Sequence, residues 1–238
     1  MFINKVFRIK PFAVTSVLLC AITVTLTCFS AEKAVGTSAN HTIRRQIILD
    51  AGHGGFDGGA SALDGTLEKD INLEIALVLE EFLSLAGYEV ILTRNADIST
   101  EDTETSTLTS RKKSDLRNRL ELMKKYPEAV FVSIHMNKFT TSSASGSQVF
   151  YSPNDDTSLT LGNDIQSSII SNLQPDNTRV NKKATSSTFL LYNATVPAVL
   201  VECGFLSNSK DLANLKDANY QKKMAFCIFC GIDKFFNS

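Results

Sequence analysis

One stretch constrains the chain more than any other: Ile47-Ile-Leu-Asp-Ala-Gly-His-Gly-Gly-Phe-Asp-Gly-Gly59. Its first half is a short aliphatic, β-branched run, the signature of a buried strand. Its second half places five glycines among the eight residues 52–59, a density that no strand or helix interior keeps. The chain therefore leaves a strand and turns tightly, and His53 stands at the exit, where glycines let the backbone pack closely around whatever the imidazole holds. The whole sequence has three histidines, so the position of each carries information. His41 falls in a polar stretch and reads as a solvated linker residue.

The segment before this strand reads as an address. Lys5, Arg8 and Lys10 precede an uncharged run of 21 residues, Pro11 to Ala31, which fits an export signal and is also just long enough to span a bilayer as an uncleaved anchor. Positive charge ahead of the run places the remainder outside the cytoplasm. Residues 1–31 are thus a signal peptide or membrane anchor, residues 32–44 a linker, and residues 45–238 one domain. Net charge is −1 for the whole chain and more negative without the basic leader, which argues against nucleic acid as a partner. Cys203, Cys227 and Cys230 give the domain no disulfide framework. The Cys227-Ile-Phe-Cys230 spacing lacks a second ligand pair and reads as core packing on a terminal helix.

After the glycine turn, apolar residues at 71, 75, 78, 79, 82 and 86 followed by Gly87 predict a helix that Glu68 opens. Tyr88 to Thr93 is a second strand, so a βαβ unit with a parallel strand pair follows, within an α/β layered domain. Residues 95–110 read as a mobile surface loop bordering a groove, with a helix from Arg111 whose basic residues form a solvated face. Ala129 to His135 is apolar on both faces and belongs at the sheet centre. Residues 146–151 suggest a strand, 158–173 a helix, 174–187 a second wall of the groove, and 189–192 a short strand. Pro197 to Asn208 repeats the pattern of the first strand and turn, its apolar residues running out onto Glu202 and Gly204 turning the chain away, and a helix from about Asp211 to Phe236 closes the domain.

Three polar residues, His53, His135 and Glu202, each end an apolar strand, and Glu68 opens the helix after the first. Open α/β sheets build their sites where strands run out into loops. Two imidazoles and a carboxylate suffice to hold a catalytic zinc with a fourth position for water, and a second carboxylate can move protons. The chemistry so assembled is amide hydrolysis. Spacing alone leaves open which glutamate is ligand and which is base. No H-E-x-x-H helix, no phosphate-binding G-x-x-x-x-G-K-[ST] and no G-x-S-x-G nucleophile turn is present.

In order and separation, LDAGHGGFDGGA, LEKDINLEIA, SIHMN and PAVLVECGFLSN resemble the zinc-dependent N-acetylmuramoyl-L-alanine amidases of bacterial cell-wall turnover, over nearly all of residues 45–236. The resemblance implies that His53, Glu68 and His135 bind zinc, that Glu202 is the catalytic carboxylate, and that the bond cut joins the lactyl group of muramic acid to L-alanine of the peptidoglycan stem peptide. It implies a twisted, mixed, mostly parallel sheet with helices on both faces. Compact length and the TSRKKSDLRNRLEL segment are similar to the germination-specific, spore-cortex subgroup, in which stem peptides are removed so that muramic-δ-lactam can form. Met136 and Lys138 beside Asn137, and Tyr192 where many members have arginine, depart from the family pattern. The alternatives are a zinc peptidase acting on the stem peptide, a non-catalytic wall-binding module, and an enzyme that needs an accessory protein to order its site.

Overall fold

A computed structural model describes residues 45–102 and 107–238. The expected export segment or anchor and the linker with His41 lie outside the described residues. Among those described, no helix is long and apolar enough to cross a membrane.

Strand β1 (Gln46–Ala51) leads through the glycine turn into helix α1 (Glu68–Leu85), and β2 (Glu89–Leu92) returns parallel to β1. Helix α2 (Leu108–Lys125) precedes β3 (Val130–Asn137), which pairs parallel with β1 on its other side. Then come β4 (Gln148–Tyr151), α3 (Thr157–Asn172), β5 (Lys182–Lys183), the single turn α4 (Phe189–Tyr192), β6 (Ala198–Phe205), α5 (Ser209–Leu215) and α6 (Ala218–Asn237). The sheet order is β2-β1-β3-β6-β4-β5; β6 runs parallel to β3 and β4 antiparallel to β6, so the sheet is mixed and mostly parallel as expected.

Side-chain alternation sorts the core into two layers. Ile47, Leu49, Val130, Val132, Ile134, Val199 and Val201 pack with apolar residues of α1, α3 and α6. Ile48, Phe131 and Ala198 point the other way, onto Met123 of α2 and Leu190 and Leu191 of α4. The same alternation carries Asp50, Ser133, His135 and Glu202 to the α2 side. That layer has one long helix and one short turn, so it leaves the ends of β3 and β6 uncovered.

Five boundaries differ from the sequence reading. Helix α2 begins at Leu108, because Thr107 and Ser110 exchange capping hydrogen bonds ahead of Arg111. Residues 189–192 form a helical turn instead of a strand: consecutive Leu190 and Leu191 are both buried in one layer, which a pleated strand would send to opposite faces. Strands β3 and β6 run past His135 and Glu202 to Asn137 and Phe205. The terminal helix is two helices, α5 capped by the Asn208 side chain and α6 by that of Asp217. Residues 97–102, expected to be a free loop, are tied to the domain by hydrogen bonds: Asp97 accepts from Gly55 N (2.8 Å) and Lys69 Nζ (2.7 Å), Thr100 N donates to Asp115 (2.7 Å), and Asp102 N to Ser114 Oγ (2.9 Å).

Candidate metal centre

His53 sits two residues past the end of β1, and its backbone is left-handed at φ 62°, the one such non-glycine among the described residues. An L side chain adopts that conformation only at some cost, so the surroundings must impose it. It turns the imidazole across the end of the sheet. Nδ1 lies 3.0 Å from Asp57 Oδ2, and Nε2 lies 3.2 Å from Glu68 Oε1. From β3, His135 presents Nδ1 at 2.8 Å from the same Glu68 oxygen, its ring nearly perpendicular to that of His53 with centroids 4.9 Å apart. One donor atom from each of His53, Glu68 and His135 falls within 4.8 Å of the other two.

Two glycines make this convergence sterically feasible. A Cβ on Gly52 would stand 2.2 Å from His135 Nε2, and one on Gly59 (φ 68°) 2.6 Å from Glu68 Oε2. Gly52→Ala is expected to displace the His135 ring, to destabilise the domain by about 1–3 kcal/mol through overpacking, and to weaken metal uptake at least about tenfold, the scale of losses from disturbed ligand orientation. Denaturant unfolding and metal titration of the variant would measure both.

Glu68, the first residue of α1, is buried and fixed by backbone donors: Ala60 N reaches Oε2 at 2.7 Å and Met136 N reaches Oε1 at 3.1 Å. Burial opposes its ionised form, but His135 and His53 outweigh it and hold the carboxyl well below the usual range. His53 responds in the opposite sense: burial disfavours its charge, whereas Asp57 and Glu68 raise its pKa to about 9. The carboxylate and the imidazole thus favour each other's charged forms, and perturbed groups of this kind cluster at functional sites.

Glu202 is the cross-strand neighbour of His135 on one side and Gln148 on the other. Its Oε2 is buried with no hydrogen-bond partner among the described residues. Burial, opposed by His135 and reinforced by the Glu68 charge, pushes its carboxyl up to about 7. A buried carboxylate oxygen left unpaired is costly unless something it is aimed at arrives later.

The four residues singled out from sequence thus meet at one end of the sheet, three as a compact donor set and Glu202 beside them. The donors fit a tetrahedral zinc or similar ion. Ligand atoms at 2.0–2.1 Å bonds and tetrahedral angles lie about 3.3 Å apart, and the carboxylate-to-imidazole separations here are 2.8 and 3.2 Å. The Cys227–Cys230 pair takes no part, and Cys227 is buried on α6.

Several residues that the sequence reading left out support the centre. Asp57 fixes the His53 ring and itself takes Lys112 Nζ at 3.0 Å. Asn72 Nδ2 donates to Gly52 O at 3.0 Å. Arg119, read as part of a solvated face, is 1 % exposed and pairs with Asp50 and Asp115. The signals were Asp57 inside the glycine run, and Asp50 inside an otherwise apolar buried strand, where an acid demands a cation.

Comparison with known proteins agrees with this geometry. The family model described as N-acetylmuramoyl-L-alanine amidase matches residues 47–234. The germination-specific N-acetylmuramoyl-L-alanine amidase of Bacillus subtilis (strain 168) is 36% identical over 190 residues, covering 80% of this chain and 79% of that protein. The CwlD amidase of Clostridioides difficile, solved in complex with the GerS lipoprotein, superposes with a TM-score of 0.78 at 41% identity over 82% of this chain and 99% of that one. AmiC2 of Nostoc punctiforme, also an N-acetylmuramoyl-L-alanine amidase, gives 0.70 at 30% identity, covering 82% and 98%. With its donor set at the end of a mostly parallel sheet and a family match over residues 47–234, this chain belongs to the N-acetylmuramoyl-L-alanine amidase family.

Proposed function

We propose that this amidase is zinc-dependent, that His53 Nε2, Glu68 Oε1 and His135 Nδ1 hold the ion, and that Glu202 is the proton-transfer group. The observation that carries the reading is the buried Glu202 Oε2, without a hydrogen-bond partner among the described residues, beside the three converging donors. Zinc bound there would lower the pKa of a water and polarise the scissile carbonyl. Glu202 takes the proton of the attacking water at Oε2 and delivers it to the L-alanine nitrogen as the C–N bond breaks, leaving a lactyl carboxylate on the muramic acid and a free amine on the peptide. The raised pKa of Glu202 suits both halves of that transfer. Asp57 keeps the His53 ring oriented throughout, and the backbone donors of Ala60 and Met136 keep Glu68 from rotating.

The substrate in this reading is peptidoglycan outside the cytoplasmic membrane, reached through the N-terminal segment as signal or anchor. Its setting is the spore cortex, where stem-peptide removal precedes muramic-δ-lactam formation, supported by the likeness to the germination-specific relative. The relative solved with a lipoprotein supports an accessory partner for this chain also.

Mass spectrometry of purified peptidoglycan after digestion tests the reading, with zinc supplied in one arm and a chelator in the other. Free stem peptides beginning at L-alanine are expected only with zinc. Peptides cut internally would replace the amidase reading with a peptidase, and intact substrate despite bound zinc would point to a missing partner or a binding module.

A further inference from the structure

The mechanism above leaves two buried guanidinium groups unused. Arg119 spends every N–H it has on named acceptors: Nε on Asp115 Oδ2 (2.8 Å), Nη1 on Asp50 Oδ1 and Ala51 O (3.0 Å), Nη2 on His53 O (2.7 Å) and Asp115 Oδ1 (3.3 Å). Arg94, also buried, reaches the same backbone from the other side. Its Nε donates to Ala51 O (2.8 Å), and Nη2 donates to Gly52 O (3.1 Å) and to Lys69 O (2.7 Å) in the first turn of α1. The carbonyls of Ala51, Gly52 and His53 are therefore each held by a guanidinium, and the turn bearing His53 is tied to the helix bearing Glu68.

We infer that Arg119, assisted by Arg94, is a positioning residue for the metal centre: by holding the His53 carbonyl it fixes the left-handed backbone that aims His53 Nε2 at Glu68 and His135. The inference rests on the metal-centre reading given above. Two facts set the direction of cause. The conformation of His53 is unfavourable for a residue with a Cβ, so it persists only where neighbours over-determine it. Metal affinity depends on the orientation of its ligands, and the groups that orient them act without touching the ion. Aspartates on two elements, Asp50 of β1 and Asp115 of α2, fix the Arg119 plane before it meets the carbonyls. Lysine cannot replace it, because an ammonium has three donors and no planar fork to span Asp115, Asp50 and His53 together.

The test is titration of the metal-free full-length protein with zinc, and with cobalt(II) for its visible spectrum, at a temperature where circular dichroism shows each variant folded. Arg119→Lys, which keeps the charge opposite the two aspartates, and Arg119→Met are each expected to bind metal about 10- to 100-fold more weakly and to shift the cobalt bands. Met123→Ala serves as the comparison. It empties a fully buried position on the same helix, in the apolar cluster with Ile48, Phe131 and Leu191, and is expected to lower stability with metal affinity unchanged. Arg119 variants that fold and bind within twofold of the parent would overturn the inference. Should neither fold, Arg94→Lys reads the same clamp through Gly52 and Lys69, with the same expectation and the same overturning result. His135→Ala separates the two claims. If it binds as tightly as the parent, the metal-centre reading fails; if it loses the metal while the Arg119 variants keep it, only the positioning role fails.

Discussion

Glu202→Gln is expected to bind zinc like the parent and to hydrolyse peptidoglycan about 10²- to 10⁴-fold more slowly, the span that a positioned acid–base group contributes. The substitution is nearly isosteric, so the fold and the His135 neighbour are kept, while the group that accepts the water's proton is gone. A second readout accompanies it. The Glu202 carboxyl is raised from an ordinary 4.5 to about 7 by burial, so between these values the folded metal-free protein binds more protons than the unfolded chain and loses stability as pH rises. Removing the carboxylate lifts that penalty, and metal-free Glu202→Gln is expected to be more stable than the parent at pH 8 by on the order of 2 kcal/mol, with little difference at pH 4. Denaturant unfolding at the two pH values and zinc titration at neutral pH check both statements. If Glu202→Gln lost the metal and Glu68→Gln kept it, the roles assigned to the two glutamates would be exchanged.

What could be read from the sequence and what could not divide along a physical line. Continuous apolar runs declare buried strands locally, and His53, His135 and Glu202 stood out because polar residues at the ends of such runs need a reason. Glycine at 52 was informative for the same local cause, since close approach leaves no room for a side chain. Arg119 was not legible in its own neighbourhood. Within a helix crowded with charge it looked like its solvated neighbours, and its burial depends on Asp50, 69 residues earlier in the chain. The Phe189–Tyr192 turn failed for another reason: four apolar residues are too few to display a period, and packing decided between turn and strand. The apolar runs stop at His135 and Glu202, short of the true ends of β3 and β6. In the structure the strands continue, and the site opens because the α2 layer stops covering them.

The buried network also makes the largest stability prediction. Asp50 is fully buried on β1, where Thr93 Oγ1 (2.8 Å) and Ser133 Oγ (2.5 Å) donate to it and Arg119 pairs with it. Burial alone would raise its pKa, yet Arg119, with the hydroxyl donors, holds it below the ordinary 3.8. Asp50→Asn leaves the Arg119 guanidinium buried with one carboxylate fewer, and is expected to cost about 3–5 kcal/mol, the usual penalty for removing one partner of a buried ion pair. Because the folded pKa is depressed, the stabilisation from ionised Asp50 is fully present above the unfolded value and is lost as pH falls through the folded one. The gap between parent and Asp50→Asn should therefore be widest near pH 7 and close as pH drops below about 4. Urea unfolding of the metal-free proteins from pH 7 to pH 3 would show it. A gap under about 1 kcal/mol, or one independent of pH, would mean that Asp115 alone sustains Arg119. The carbonyls of Ala51 and His53 would then be held without help from the strand that carries the metal turn.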